Sequence, residues 1–391
     1  MIFYKNTYKH LHTPVHGFDE GSDDVITFQG LFKYFGLFAE TSNIQKSSIF
    51  VINIMRFEEF VHGLDYKNFL TNEIKTRINS GKATLVLNHS HERTHKYTLN
   101  YYAPLWNMLY EKLVRAGIQK DRTIFVSGDV NIEKTFKDAG DDTPVLGLDL
   151  MELAFDKWTR CRNAYDIEVS NFSLQKDYDY LFLNAVPRPQ RCVLRFLLHE
   201  RGLLDKSINS WVIGERRPAL DEIKRFINNN NLNLDPNEVF TFSSKEKTVD
   251  SSFLSLKTEG NQNVIPKFLL DKTIFSFVTE THIYQNITLV SEKTFKPLLQ
   301  KHPFMVYSHP EHMHYLQECG YVTYSEMFDE SYDYENDENK IKILIDNLLS
   351  FKDRVVGKER IIEEKLEYNR QHFLTIPCKE KTKKKLLDFF E

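Results

Sequence analysis

The chain has 391 residues, a length that suits two domains and allows three at about 100–200 residues each. Its 51 Lys and Arg against 55 Asp and Glu leave a net charge of −4, which exerts no global pull on nucleic acid, although a local basic groove stays open. With 41% apolar residues, 30 Phe and only 15 Gly it is neither disordered nor collagen-like, and its four cysteines form no CxxC pair that would signal a zinc ribbon or a disulfide framework.

At the start of the chain, MIFYKNTYKHLHTP lacks the basic segment and apolar core of a signal peptide, and no stretch anywhere nears 18 consecutive apolar residues. A cytoplasmic protein with reduced thiols and no membrane span is expected. Residues 48–55 (SIFVINIM) read as a buried parallel strand. Phe69, Leu70, Ile74 and Ile78 recur at helical spacing through 66–80, and Gly81 closes that helix. ATLVLNHS is a second strand, 100–117 a helix ended by Gly117, 122–129 a third strand and 143–150 a fourth. The alternation then restarts. Strands are expected at 178–185, NSWVIG, VFTFS, 272–280, 303–308 and YVTY, with helices at 191–202, 218–231, SEKTFKPLLQ and PEHMHYLQECG. Two helices follow over 338–373, with Ile341, Leu344, Ile345, Leu348 and Leu349 in one stripe, and the lysine-rich tail 379–391 is helical in period. The reading is an α/β N-terminal domain over 1–170, an α/β C-terminal domain over 171–350 and a helical tail over 351–391, with a ligand beyond the carboxyl ends of parallel strands. One large sheet with insertions is the rival fold. No GxGxxG opens the first domain and no GxxxxGK[ST] occurs, which argues against a dinucleotide dehydrogenase and a P-loop enzyme.

The most informative stretch is 275–308. A strand delivers Glu280 to its carboxyl end, and Ser291 stands where an N-cap would, ahead of Glu292, Lys293 and Lys296. Helix N–H groups and lysines there suit a pyrophosphate, and a carboxylate can hold ribose hydroxyls. Pro297 should kink or restart the helix. The bland alternative is an exposed helix start with ordinary surface charges. Upstream, Asn184, Arg188 and Arg191 fall between a strand and a helix, where an Arg fork suits a diphosphate; otherwise these arginines pair with Glu200 or Asp205.

Over about residues 178–330 this order resembles the donor-site motif of the α-1,3-fucosyltransferases and related phage and bacterial glycosyltransferases. The resemblance rests on F-x-F-x-x-E, a loop, S-E-K and a PF strand, with the Asn and Arg upstream. It implies a GT-B fold, two Rossmann-like α/β domains facing a central cleft, with C-terminal helices. It implies an inverting, metal-independent transfer from a nucleotide-diphosphate sugar, with no other cofactor. Glu280, Ser291, Glu292, Lys293, Asn184, Arg188 and Arg191 match its donor side.

Inverting transfer needs a base for the acceptor hydroxyl. The strand ATLVLN ends in HSHERTH, where Glu92 stands at a strand end and His91 competes with it; the resemblance places a Glu base in this domain. H-x-H-x-x-x-H also reads as a metal site, but nothing puts His95 on the same face. The acceptor is a glycan, or a hydroxymethylated pyrimidine in viral DNA, for which Arg93, Lys96, Lys112, Arg115, Lys120 and Arg122 are basic residues close in sequence. Their ordinary reading is a solvated face. Asp333 and Asp337 lie in a polar connector ahead of the last helices, with Tyr332 or Asp333 as the alternative edge of the donor pocket. A non-catalytic nucleotide-sugar or nucleic-acid binder on the same scaffold is the rival function.

Overall fold

The computed structural model describes residues 2–4, 39–41, 49–53, 61–62, 70–89, 102–149, 167–184, 186–211, 218–245, 264–281, 283, 288, 290–375 and 377–390. The chain divides into two units. One comprises Met1–Lys157, Gln285–Leu289 and Cys378–Glu391, the other Trp158–Tyr284 and Val290–Pro377. Each has its own parallel sheet, an architecture compatible with a two-domain Rossmann-like fold.

The first unit contains β1 (Ile2–Tyr4), β2 (Ala39–Thr41), β3 (Ile49–Asn53), α1 (Asn72–Asn79), β4 (Thr84–His89), α2 (Tyr102–Arg115), β5 (Thr123–Ser127), α3 (Ile132–Asp138) and β6 (Val145–Gly147). Its strands run in the order β2-β1-β3-β4-β5-β6, every pair parallel. Strands β1 and β2 were not expected from the sequence; at three residues each they are too short to show a pattern. The apolar run Leu85, Val86 and Leu87 is buried, as a strand covered on both faces requires. Helix α1 starts on Thr71, whose hydroxyl accepts from Ile74 N at 3.3 Å, and buries Ile74 and Ile78. Trp106 of α2 meets Phe125 edge-on, with ring centroids 4.4 Å apart. Gly147 closes on the backbone that leaves β5: a Cβ there would stand 2.2 Å from Asp129 O.

The second unit contains β7 (Tyr178–Asn184), α4 (Pro189–Glu200), β8 (Ser207–Trp211), α5 (Leu220–Asn229), α6 (Pro236–Ser243), α7 (Lys267–Lys272), β9 (Thr273–Thr279), α8 (Glu292–Leu299), β10 (Phe304–Tyr307), α9 (His312–Glu318), α10 (Asp337–Val355) and α11 (Glu359–Thr375). Its sheet runs β10-β9-β7-β8, again all parallel. All seven residues of β9 are buried. Phe275 packs edge-on against Phe328 and against Phe351 of α10, each at 5.0 Å. The last helix, α12 (Pro377–Phe390), belongs to the first unit: Lys385 Nζ donates to Gly147 O at 2.7 Å and pairs with Glu133 at 2.8 Å. The tail expected as one helical segment is therefore shared between the two units.

Three local expectations are corrected. VFTFS is not a strand but most of α6, because Asp235 caps Asn237 N at 2.8 Å and Pro236 occupies the first helical turn. YVTY is not a strand either. Side chains take its backbone groups: Val322 N donates to Asn369 Oδ1 at 2.9 Å, Asn369 Nδ2 donates to Val322 O at 2.8 Å, and Tyr324 N donates to Glu330 Oε1 at 2.7 Å. Helix α8 runs through Pro297 as one element of eight residues, neither ended nor restarted there. Pro297 is the sixth residue of the helix and has no N–H to give to Lys293 O, a single lost bond that the element absorbs. Among the described residues no helix is long and apolar enough to cross a membrane.

Candidate functional site

In the second sheet the strand order turns at β7, which has β8 on one side and β9 on the other. The carboxyl ends of β7 and β9 flank this switch point, where open parallel sheets bind ligands. Asn184 ends β7; Thr279 ends β9 and Glu280 follows it. The Thr279 hydroxyl donates to Asn184 Oδ1 at 2.5 Å. From the first turn of α4, Arg191 donates through Nη2 to Thr279 O at 2.8 Å and through Nη1 to Val186 O at 3.2 Å. Gln190 Nε2 donates to Thr281 O at 3.0 Å. The start of α4 is thus tied to the end of β9. Arg188, the partly exposed N-cap of α4, gives that helix no side-chain cap.

Arg191 and Asn184 are each only 3% exposed. Arg191 Nε and Asn184 Nδ2 have no hydrogen-bond partner among the described residues. Burial pulls the Arg191 guanidinium down to about 10, against the opposing pull of Glu280. Arg195, one turn on, is occupied elsewhere: its guanidinium lies over the Trp211 and Phe242 rings, 4.9 and 4.4 Å from their centroids.

The start of α8 differs from the expected open anion site. The Glu280 carboxylate already sits there, fully buried. Oε1 accepts from Ser291 N at 3.1 Å, from Ser291 Oγ at 2.9 Å and from Thr294 Oγ1 at 3.2 Å; Oε2 stands 2.7 Å from Ser291 Oγ. Its negative charge faces the positive end of the helix. Ser291 is the N-cap, and its hydroxyl oxygen accepts from Lys293 N at 3.2 Å. The groups that remain within reach of solvent are Glu292 and Lys293, with side chains 25% and 32% exposed, paired at 2.9 Å. Lys296 is half-buried one turn on. Burial opposes the charge on Glu292, but Lys293 and Lys296 outweigh it and hold its pKa below the ordinary carboxylate value. Burial lowers the pKa of Lys296, with Glu292 opposing.

Residues not foreseen as part of this site continue behind Glu280. Thr294 Oγ1 lies 3.2 Å from His312 Nε2, and His312 Nδ1 lies 3.4 Å from His309 Nε2. Both histidines are fully buried. Gln190, Thr294, His309 and His312 carry no sequence motif; the only hint is the three-residue spacing of the histidines just after a buried strand. Of the connector residues, Tyr332 is buried, Asp333 caps α9 through Met313 N and His314 N at 3.0 Å each, and Asp337 accepts from Tyr307 OH at 3.0 Å.

Glu92, His91, His95, Arg93 and Lys96 lie outside the described residues. His89, which ends β4, is buried, with its ring tilted against Phe125 at 6.3 Å. The other basic residues expected near an acceptor have protein partners. Lys112 donates to Val61 O and His62 O, while Arg115, Lys120 and Arg122 pair with Glu111, Asp141 and Asp121. Among the described residues no group of three or more His, Cys, Asp or Glu is placed to hold a metal ion. Comparisons of the chain with protein-family models, curated proteins and solved structures return no match.

Proposed function

We propose that this chain is a GT-B glycosyltransferase that moves a sugar from a nucleotide-diphosphate sugar to an acceptor hydroxyl, with the donor held by the second unit. One observation carries the reading: at the switch point between β7 and β9, the buried N–H donors Asn184 Nδ2 and Arg191 Nε have no hydrogen-bond partner among the described residues. The start of α8 adds the partly exposed Glu292, Lys293 and Lys296. An oxygen-rich, anionic ligand satisfies both sets of groups.

The leaving diphosphate gains charge as the glycosidic bond breaks. Lys293 and Lys296 are preorganised cations that stabilise that charge. Glu292, kept ionised by its two lysines, is the carboxylate suited to ribose hydroxyls; Glu280, engaged by Ser291 and Thr294, acts by holding the helix start. Arg191, with two nitrogens bound to carbonyls, supplies positive field and one N–H rather than a free fork. The acceptor proton would go to Glu92, with His91 as the competing base. This assignment is inverting and uses no divalent metal. A glycan or a hydroxymethylated pyrimidine in phage DNA fits as acceptor, in a bacterial or phage-infected cytoplasm.

The test is a thermal-shift screen against UDP-, GDP-, ADP- and CMP-sugars. A donor at a hundred times its Kd adds about 2.7 kcal/mol of stability. Lys293→Ala or Glu292→Ala should weaken that donor by about 1.5–3 kcal/mol, the range of a lost charged hydrogen bond. Stabilisation by none of the panel, or wild-type affinity in both variants, overturns the reading. Donor hydrolysis without acceptor separates an enzyme from a non-catalytic binder.

A further inference from the structure

Thr288 is buried and belongs with the first unit, although it stands three residues before Ser291, the cap of α8 in the second. Three consecutive residues after β5 take its three polar groups. Thr288 N donates to Asp129 Oδ1 at 3.3 Å, Val130 N donates to Thr288 O at 3.4 Å, and Asn131 Nδ2 donates to Thr288 Oγ1 at 2.8 Å. The two backbone bonds suit almost any residue; the third requires an acceptor side chain at 288.

The turn that holds Thr288 is braced on itself. Asp129 N donates to Ser127 Oγ and Asn131 N to Asp129 Oδ1, each at 3.1 Å. Gly147 closes on the same turn with no room for a Cβ. Asn131 occupies the N-cap position of α3, yet no N–H of that helix donates to its side chain. Asparagine is among the best N-cap residues because its side-chain oxygen accepts from the first turn, with the backbone extended. Here ψ is 5°, and the carboxamide goes to Thr288 instead. Helix α3 forgoes a cap and Thr288 gains a bond.

We propose that residues 129–131 are a clasp for Thr288, and that Asn131 acts through it as a positioning residue for the start of α8. Three residues of chain span at most about 10 Å, so a fixed Thr288 limits where Ser291 can go. At the other end Ser291 N and Oγ are held by Glu280. The chain entering α8 is therefore fixed twice, and freeing Thr288 returns slack to it. That Glu292 and Lys293 matter to a ligand rests on the donor reading above; the clasp does not. The competing role for Asn131 is local, the stability of the first unit alone. The two roles differ in what Ser291 and Lys293 feel.

Amide hydrogen exchange of the full chain, read by NMR, tests this. Thr288→Val removes the acceptor at nearly constant volume and leaves the residues of α3 as they are. It should speed exchange of the Val130 amide by about 2–10-fold, the effect of one ordinary hydrogen bond lost. The Ser291 and Lys293 amides should speed with it, and Thr288→Ser should return all three to wild type. The Leu181 amide inside β7 should not move. Asn131→Ala should give the same pattern. An unmoved Val130 amide overturns the proposal. So does faster exchange at Val130 with Ser291 and Lys293 unchanged, which leaves Asn131 a local role, or equal acceleration at Leu181, which makes the effect general unfolding. These measurements need no nucleotide sugar. A wild-type chain that binds no donor refutes the donor reading and leaves the exchange result standing.

Discussion

Ser291→Ala isolates the junction on which the second unit's site depends. The Ser291 hydroxyl accepts from Lys293 N at 3.2 Å and stands 2.9 and 2.7 Å from the two oxygens of Glu280. Loss of an N-cap alone costs about 0.5–2 kcal/mol. Loss of a hydrogen bond to a charged group adds about 1.5–3 kcal/mol, because the Glu280 carboxylate is fully buried. The sum is about 2–5 kcal/mol. Asn336→Ala is the internal control. Asn336 caps α10 in the same unit by accepting from Asn339 N at 3.0 Å, but it is exposed and holds no buried carboxylate. It should cost about 1 kcal/mol. Urea unfolding of both variants, read by a probe in the second unit, gives the difference directly. Ser291→Thr, which keeps the hydroxyl, should recover most of the loss. Equal costs for Ser291→Ala and Asn336→Ala would refute the claim that Ser291 holds Glu280.

Three further outcomes follow from the described contacts. Arg191→Lys should lower the stability of the second unit by about 1–3 kcal/mol, because one ammonium cannot bridge Val186 O and Thr279 O; unchanged urea midpoints would show that the bridge is dispensable. Burial raises Glu330 to about 7 from 4.5, against the hydrogen bonds from Thr323 and Tyr324, so its folded pKa lies above its unfolded one. Its contribution is intact below about pH 4.5 and is lost as pH rises through about 7, with a slope of up to about 1.4 kcal/mol per pH unit. Glu330→Gln should flatten that slope between about pH 4.5 and 7 in urea titrations, and an unaltered slope would assign the pH dependence to other groups. Gly147→Ala should destabilise the first unit by about 1–3 kcal/mol, since its Cβ would stand 2.2 Å from Asp129 O; thermal unfolding indistinguishable from wild type would show that the loop after β5 yields freely.

The sequence by itself determined the elements whose cause is local. Buried strands such as 84–89 and 273–279 announce themselves as apolar runs because both of their faces are covered. Helix ends at Gly81, Gly117, Gly202 and Gly320 were legible because the left-handed turn there, with φ from +64 to +88°, suits glycine. Strand ends are where the sequence directs the search for site residues, because a parallel sheet delivers them all to one edge. VFTFS failed for a local reason, the Asp235 cap and Pro236 that start a helix there, but the other failures depended on partners far along the chain. YVTY is held by Asn369, 47 residues from Val322, and that bond replaces a ladder the local pattern suggested. The periodicity of 379–391 gave a helix but not its seat, which Lys385 finds on Gly147, 238 residues away. The same division runs through the site. Residue types at 280 and 291–296 suggested charge at a helix start, but exposure is a property of packing. Folding turned Glu280 inward onto Ser291 and Thr294, clamped Arg191 to Thr279 O, and left Glu292 and Lys293 at the surface. His309 and His312 joined Glu280 only because β10 lies beside β9 and carries α9 to the far side of Thr294, a neighbourhood that no local spacing encodes.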